Sequence, residues 1–248
     1  MRAFIPFKGH APRNANCYAA WLGFYEMGIE IVPYFEPSDL SAVQKKDIVV
    51  GGIGSCHAVL RSFGVAIPRI NYPESLRPFL GRRLWRSTIN QVNNDPGSWP
   101  LFVKPVEDKK FTGKVISGIS DLVGCGTSGE NPPVVCSEIV QFRTEWRCFV
   151  RYGEILDVRP YRGDWRLHFD PSIIEETVEA YLSAPAAYGI DFGVTSDGRT
   201  LPVEVNDGYA LGSYGLQHNL YAQLLSARWS ELMGVKDNLA YIGSHPGL

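Results

Sequence analysis

Residues 188–209 read YGIDFGVTSDGRTLPVEVNDGY. Two apolar-rich runs, Tyr188 to Thr195 and Arg199 to Asn206, flank Ser196-Asp197-Gly198, a combination that predicts two antiparallel strands and a tight turn. Side chains on a strand alternate faces. Val203 and Val205 therefore point one way, and Glu204 and Asn206 point together the other way. Normal hairpin pairing brings Asp191 to the same face. Two carboxylates and an amide oxygen are the hard ligands that a magnesium ion takes, with water and phosphate oxygens completing its octahedron. A polar, solvated hairpin face is the competing explanation of Glu-x-Asn. The Asp207-Gly208-Tyr209 sequel and the glycines at 208, 212 and 215 favour backbone held close to a ligand instead.

Working outward, a helix predicted from Leu216, Leu220, Leu224, Leu225, Trp229 and Leu232 follows the hairpin and stops at Gly234. Upstream, Asp170-Pro171 starts another helix, carrying Ile174, Val178, Tyr181 and Leu182 at helical spacing. Strands are expected at Leu101–Val103, Val115–Ile119, Val134–Val140, Trp146–Tyr152 and Ile155–Arg159. Before them, Ala3–Pro6, a helix over Ala15–Met27, Ile29–Phe35, Asp47–Val50 and a helix after Gly51-Gly52-Ile53-Gly54 form a small α/β unit. The proline- and arginine-rich stretch Arg69–Arg86 is expected to connect two domains, 1–85 and 86–248.

The chain has 248 residues, 45% of them hydrophobic and 20% charged, and a net charge of −2. These numbers fit a globular protein with a sizeable core and give no basic field for nucleic acid. Cys17, Cys56, Cys125, Cys136 and Cys148 are scattered and odd in number, which points to free buried thiols in a reducing cytoplasm. The opening MRAFIPFKGHAPRN breaks its apolar patch with charge and proline, so no secretory signal is expected. No run of about 18 apolar residues exists, so no spanning helix and no membrane partner are expected. His57 replaces the third glycine of a dinucleotide fingerprint, and Val115 replaces the hydroxyl residue of a P-loop. The five histidines are scattered, and His57, beside the glycine turn, is the one with a candidate role.

The spacing Asp191-x5-Asp-Gly-x5-Glu204-x-Asn206 and the closing EVNDGYALGSYG resemble the magnesium-binding end of the ATP-grasp superfamily, in its R2K clade. The resemblance continues through three more segments in the same order. WPLFVKP at 99–105 resembles the first nucleotide-contacting strand and implies Lys104 on the phosphates. EDKKFTGK, with Lys109, Lys110 and Lys114, resembles the loop that covers them, although any one lysine there also suits a solvated turn. CSEIV at 136–140 resembles the hinge behind adenine, formed by Glu138, Ile139 and Val140. In TEWRCFV, Glu145 resembles the ribose-binding residue. Arg147 and Arg159 resemble the arginines facing the terminal phosphate and the acyl phosphate. A surface ion pair is an equal reading of Glu145 and Arg147 taken alone.

The resemblance implies an ATP-grasp fold, with two antiparallel-sheet subdomains sandwiching ATP after a small α/β N-terminal domain. It implies ATP and Mg2+ as cofactors, with Asp191, Glu204 and Asn206 as metal ligands. The implied activity is a carboxylate–amine ligase that forms an amide through an acyl phosphate and releases ADP. Small-molecule or peptide carboxylates and amines would be its substrates. A kinase-like phosphotransferase and a nucleotide-binding regulator without turnover are the alternatives on the same fold.

Overall fold

In the computed structural model, which describes residues 1–106, 110–126 and 129–240, the chain begins with β1 (Arg2–Lys8), β2 (Ala11–Pro12), α1 (Ala15–Glu26), β3 (Glu30–Tyr34), β4 (Ile48–Val49) and α2 (Ile53–Ser62). Strand β1 pairs in parallel with β3 and with β4, and antiparallel with β2. This is the small α/β unit that alternating strand and helix signals predict. Asn14 caps α1 by accepting from Cys17 N at 3.0 Å.

Next come β5 (Leu84–Thr88), α3 (Ile89–Asn94), β6 (Leu101–Pro105), β7 (Lys114–Ile116) and β8 (Pro133–Ser137). They form a sheet in the order β5-β8-β6-β7 with antiparallel pairing. Apolar residues Ile89, Val92, Leu101, Val103, Val134 and Cys136 bury its core. Strand β5 takes the place of the end of the expected connection Arg69–Arg86, and helix α3 follows it. Leu84–Thr88 is a strand because β8 supplies its ladder, and Thr88 with Gln91 forms a capping box that starts α3.

The remainder holds β9 (Phe142–Arg151), β10 (Glu154–Gly163), α4 (Pro171–Ala180), β11 (Ala187–Thr195), β12 (Thr200–Asp207) and α5 (His218–Met233). The sheet order is β10-β9-β11-β12. Asp170 caps α4, accepting from Ser172 N at 3.0 Å. Gly234 ends α5 with φ 65° in the left-handed region.

Packing groups the chain differently from a division after residue 85. Met1–Phe79 and the described residues from Arg143 onward make one compact unit, and Leu80–Phe142 makes the other. Helix packing in the first unit accounts for the grouping. Gly23 of α1 lies so close to α5 that an added Cβ would collide with the His218 carbonyl and come within 2.9 Å of Ala222 Cβ. Around that contact Phe24, Tyr221, Leu224 and Trp229 are fully buried with Phe4 and Ile5 of β1. A second core beneath the β9–β12 sheet joins Ile174, Val178, Tyr188, Ile190, Phe192 and Val205.

Candidate active site

The hairpin β11–β12 pairs Gly189 with Asn206, Ile190 with Val205 and Asp191 with Glu204. The two carboxylate residues thus stand opposite each other, an unfavourable arrangement of like charges unless a cation or donor intervenes. Asn206 Nδ2 donates to Asp191 Oδ2 at 3.2 Å and to Glu204 Oε1 at 3.3 Å. The neighbouring strand β9 supplies a cation: Arg147 Nε donates to Asp191 Oδ1 at 2.6 Å and Nη2 to Oδ2 at 2.7 Å. The planar fork matches the carboxylate bidentately. Gly189 makes room for it, since a Cβ there would lie 3.3 Å from Arg147 Cδ. Burial pushes the Asp191 carboxyl above its ordinary value, with Arg147 opposing. Burial disfavours charge on Arg147, but the bonds to Asp191 outweigh this and raise its pKa.

Two tyrosines complete the surroundings of Arg147. Tyr161 of β10 and Tyr214, on the loop after β12, stack with ring centroids 4.9 Å apart at 18°. The Arg147 guanidinium carbon lies 4.9 Å from the Tyr214 centroid and 5.8 Å from that of Tyr161. Tyr161 Oη donates to Glu145 at 2.6 Å, and Arg162 Nη1 donates to the other Glu145 oxygen at 2.7 Å. Burial pushes the Tyr161 phenol upward, so it stays a donor. The loop is tied down at Leu211 and at Ser213. Asn16 accepts from Ser213 N and Oγ, each at 3.0 Å, and the Leu211 carbonyl accepts from Tyr221 Oη at 2.5 Å. Tyr214 itself sits at φ 43°.

Glu145 and Arg147 are both buried, at 8% and 6% exposure, and each takes a different partner, so they are not a surface ion pair. Arg159 stands opposite Arg147 in the β9–β10 register, but its guanidinium binds Asp157, with Nε 2.7 Å from Oδ2. Asp207 faces away from Asn206 and is held by Arg228 at 2.5 and 2.8 Å. His57 of α2 is buried, with Nε2 2.8 Å from Tyr209 Oη.

In the other unit, Lys104 lies on β6 opposite Val135 of β8. Lys114 donates to the Val123 carbonyl at 2.8 Å, and Lys110 stands 3.4 Å from Glu130. The Lys109 reading falls outside the described residues. Glu138 follows β8 and is exposed. Its carboxylate accepts from Arg83 N at 2.9 Å, and its own N–H donates to the Arg83 carbonyl at 3.1 Å. Ile139 is 39% exposed and Val140 half-buried.

A family description of an ATP-grasp domain, R2K clade family 2, matches residues 79–224. The chain belongs to that family. No curated protein matches it. Among solved structures it resembles D-alanine–D-alanine ligase from Bacillus anthracis complexed with ATP, at 17% identity and TM-score 0.57, covering 94% of this chain and 96% of that one. It also resembles the macrocyclase MdnC bound with precursor peptide MdnA from Microcystis aeruginosa MRC, at 13% identity and TM-score 0.54, covering 91% and 99%. The ATP-grasp ligase PsnB complexed with minimal precursor matches at 12% identity and TM-score 0.51, covering 92% and 98%. These similarities show a shared ATP-grasp fold.

The donor chemistry of this R2K ATP-grasp chain suits magnesium. Among the described residues no three His, Cys, Asp or Glu converge, so an ion here would rest on two carboxylates and one amide and keep room for phosphate and water. Among the described residues no helix is long and apolar enough to cross a membrane. All five cysteines are free and buried. Sequence reading missed Tyr161, Arg162 and Tyr214. The one local signal is Tyr214 framed by Gly212 and Gly215, which marks a tyrosine in a loop of special backbone.

Proposed function

We propose that this chain is an ATP- and magnesium-dependent ligase that joins a carboxylate to an amine through an acyl phosphate, releasing ADP and phosphate. The observation that supports it best is the convergence of Arg147, Asp191, Glu204 and Asn206 on one sheet, at the spacing expected of the family's phosphate end. In this reading Asp191, Glu204 and Asn206 hold magnesium, which when bound neutralises phosphate charge. Arg147 and Arg159 offer planar donors to the transferring phosphoryl group. Lys104 and Lys114 act on the nucleotide phosphates, Glu138, Ile139 and Val140 on the base, and Glu145 on the ribose.

A substrate carboxylate oxygen attacks the terminal phosphorus and ADP leaves. The amine nitrogen then attacks the acyl carbon, phosphate leaves, and the amine proton passes to solvent or phosphate. Positioning and charge are the main contributions this chain's residues make to such a transfer. Small-molecule or peptide substrates both suit the reading, as does a reducing cytoplasm for a chain with five free thiols.

Calorimetry with ATP and MgCl2 tests it, on the parent and on Glu204→Ala/Asn206→Ala. The parent should bind, and the double variant should lose at least about tenfold of the metal-dependent affinity. A parent that binds no nucleotide would overturn the reading. ADP release with pools of acids and amines, followed by detection of an amide product, then identifies the reaction.

A further inference from the structure

We propose that Arg147 is the resident counter-cation of the Asp191–Glu204 pair and changes partner when magnesium nucleotide binds, so that its fork reaches phosphate only once the metal is in place. This rests on the ligase reading above and deepens it.

The contacts carry the inference. Asp191 Oδ2, on the side of Glu204 and Asn206, accepts from both Arg147 Nη2 and Asn206 Nδ2. Oδ1 accepts from Arg147 Nε. A magnesium ion bound to Asp191, Glu204 and Asn206 competes for the oxygens that these N–H groups now hold. Asn206 must then turn its amide so that oxygen replaces nitrogen. Arg147 must give up Oδ2, because a guanidinium and a divalent ion on one buried oxygen repel strongly. Both side chains of the pair are nearly inaccessible, at 7% and 3% exposure, so solvent cannot screen that repulsion.

The surroundings provide for the exchange. Among the described residues the guanidinium bonds Asp191 alone and otherwise rests against the Tyr214 and Tyr161 rings. Aromatic faces hold a guanidinium while leaving it free to turn. The platform itself is anchored, since Tyr161 is bonded to Glu145 and the Tyr214 loop is pinned through Ser213 to Asn16. Tyr214 is 44% exposed, so the platform has an open side. One arginine thereby serves two states. With the ion elsewhere it offsets the charge of Asp191 opposite Glu204, and with the ion bound it becomes a phosphate donor.

The test uses the full chain labelled with 15N-arginine. The Arg147 Nε–H resonance is assigned by its loss in Arg147→Lys, and its exchange with solvent is followed as MgCl2 and a non-hydrolysable ATP analogue are added. Calorimetry on the same sample reports binding. The expected result is a protected resonance that shifts on saturation and exchanges about tenfold faster or more. Binding heat with an unchanged resonance would overturn the exchange and leave the ligase reading standing. No binding heat would overturn both. In a second arm, MnCl2 alone is titrated by electron paramagnetic resonance, and Arg147→Met should bind it about tenfold tighter than the parent. Equal or weaker affinity would also overturn the proposal. A stationary arginine would likewise weaken metal binding by its charge, so the resonance decides between exchange and a fixed clamp.

Discussion

Replacing Arg228 with Met removes the cation that joins α5 to the end of the acidic hairpin. Arg228 forks onto Asp207 at 2.5 and 2.8 Å and bonds Glu231 at 2.7 Å. Glu231 in turn accepts from Ala186 N, at the entrance to β11, at 2.8 Å. The Arg228 and Asp207 side chains are 5% and 13% exposed. Methionine fills much of the volume but leaves Asp207 buried without its counter-charge, which costs about 3–5 kcal/mol. For a chain of this length that lowers the melting temperature by about 6–20 °C. Glu231 is 42% exposed, so its own loss adds little. Burial already holds Asp207 above its ordinary 3.8, with Arg228 opposing. Without the arginine the folded pKa climbs further. The penalty belongs to the ionised form, so it is present above that raised pKa and is lost as pH falls through it. Urea unfolding followed by circular dichroism should therefore show a larger deficit at pH 8 than at pH 5. Adding Asp207→Asn should recover at least about 2 kcal/mol at pH 8 through coupling of the two sites. A deficit under about 1 kcal/mol, or one equal at both pH values, would refute the argument that the buried carboxylate needs its partner.

Asp47→Asn tests the other end of the chain. Asp47 is buried and accepts from Arg2 N at 3.0 Å, Arg2 Nη2 at 2.6 Å and Gln44 N at 3.1 Å. Burial raises its pKa, but the bonds to Arg2 and Gln44 outweigh this and hold it below 3.8. Its contribution is thus present above that value and lost as pH falls through the lower folded pKa. The variant should cost about 2 kcal/mol at pH 7, and denaturant midpoints of parent and variant should converge below about pH 4. Gly208→Ala should destabilise by about 1–3 kcal/mol in the same assay, because its Cβ would meet the Ala187 carbonyl and lie 3.0 Å from Arg228 Cβ. An alanine variant as stable as the parent would show that the end of the hairpin can spread.

Much of the fold was legible because its signals are local. Asn14, Asp170 and Gly234 each hold or adjoin a helix end through bonds or backbone conformations a few residues away. The β11–β12 turn sits at Ser196-Asp197-Gly198 for the same reason. Strand β5 was hidden because its five residues are a strand through their partner, β8, almost fifty residues along the chain. The grouping of Met1–Phe79 with the chain after Phe142 was hidden because Gly23 discloses its role only when α5 lies across it.

The same distinction runs through the candidate site. Sequence alone determined that Glu204 and Asn206 share a face and that Asp191 joins them, because a period of two and one tight turn set that geometry within sixteen residues. Only the tertiary structure decided that Arg147 holds Asp191, that Tyr161 and Tyr214 support Arg147, and that Asp207 turns away to Arg228. Those pairings join residues from 14 to 67 positions apart in number. A charged or aromatic side chain carries no local mark of which distant partner it will meet, so its partner is set by how the strands and helices pack, and by the burial that makes an unpaired charge too costly to keep.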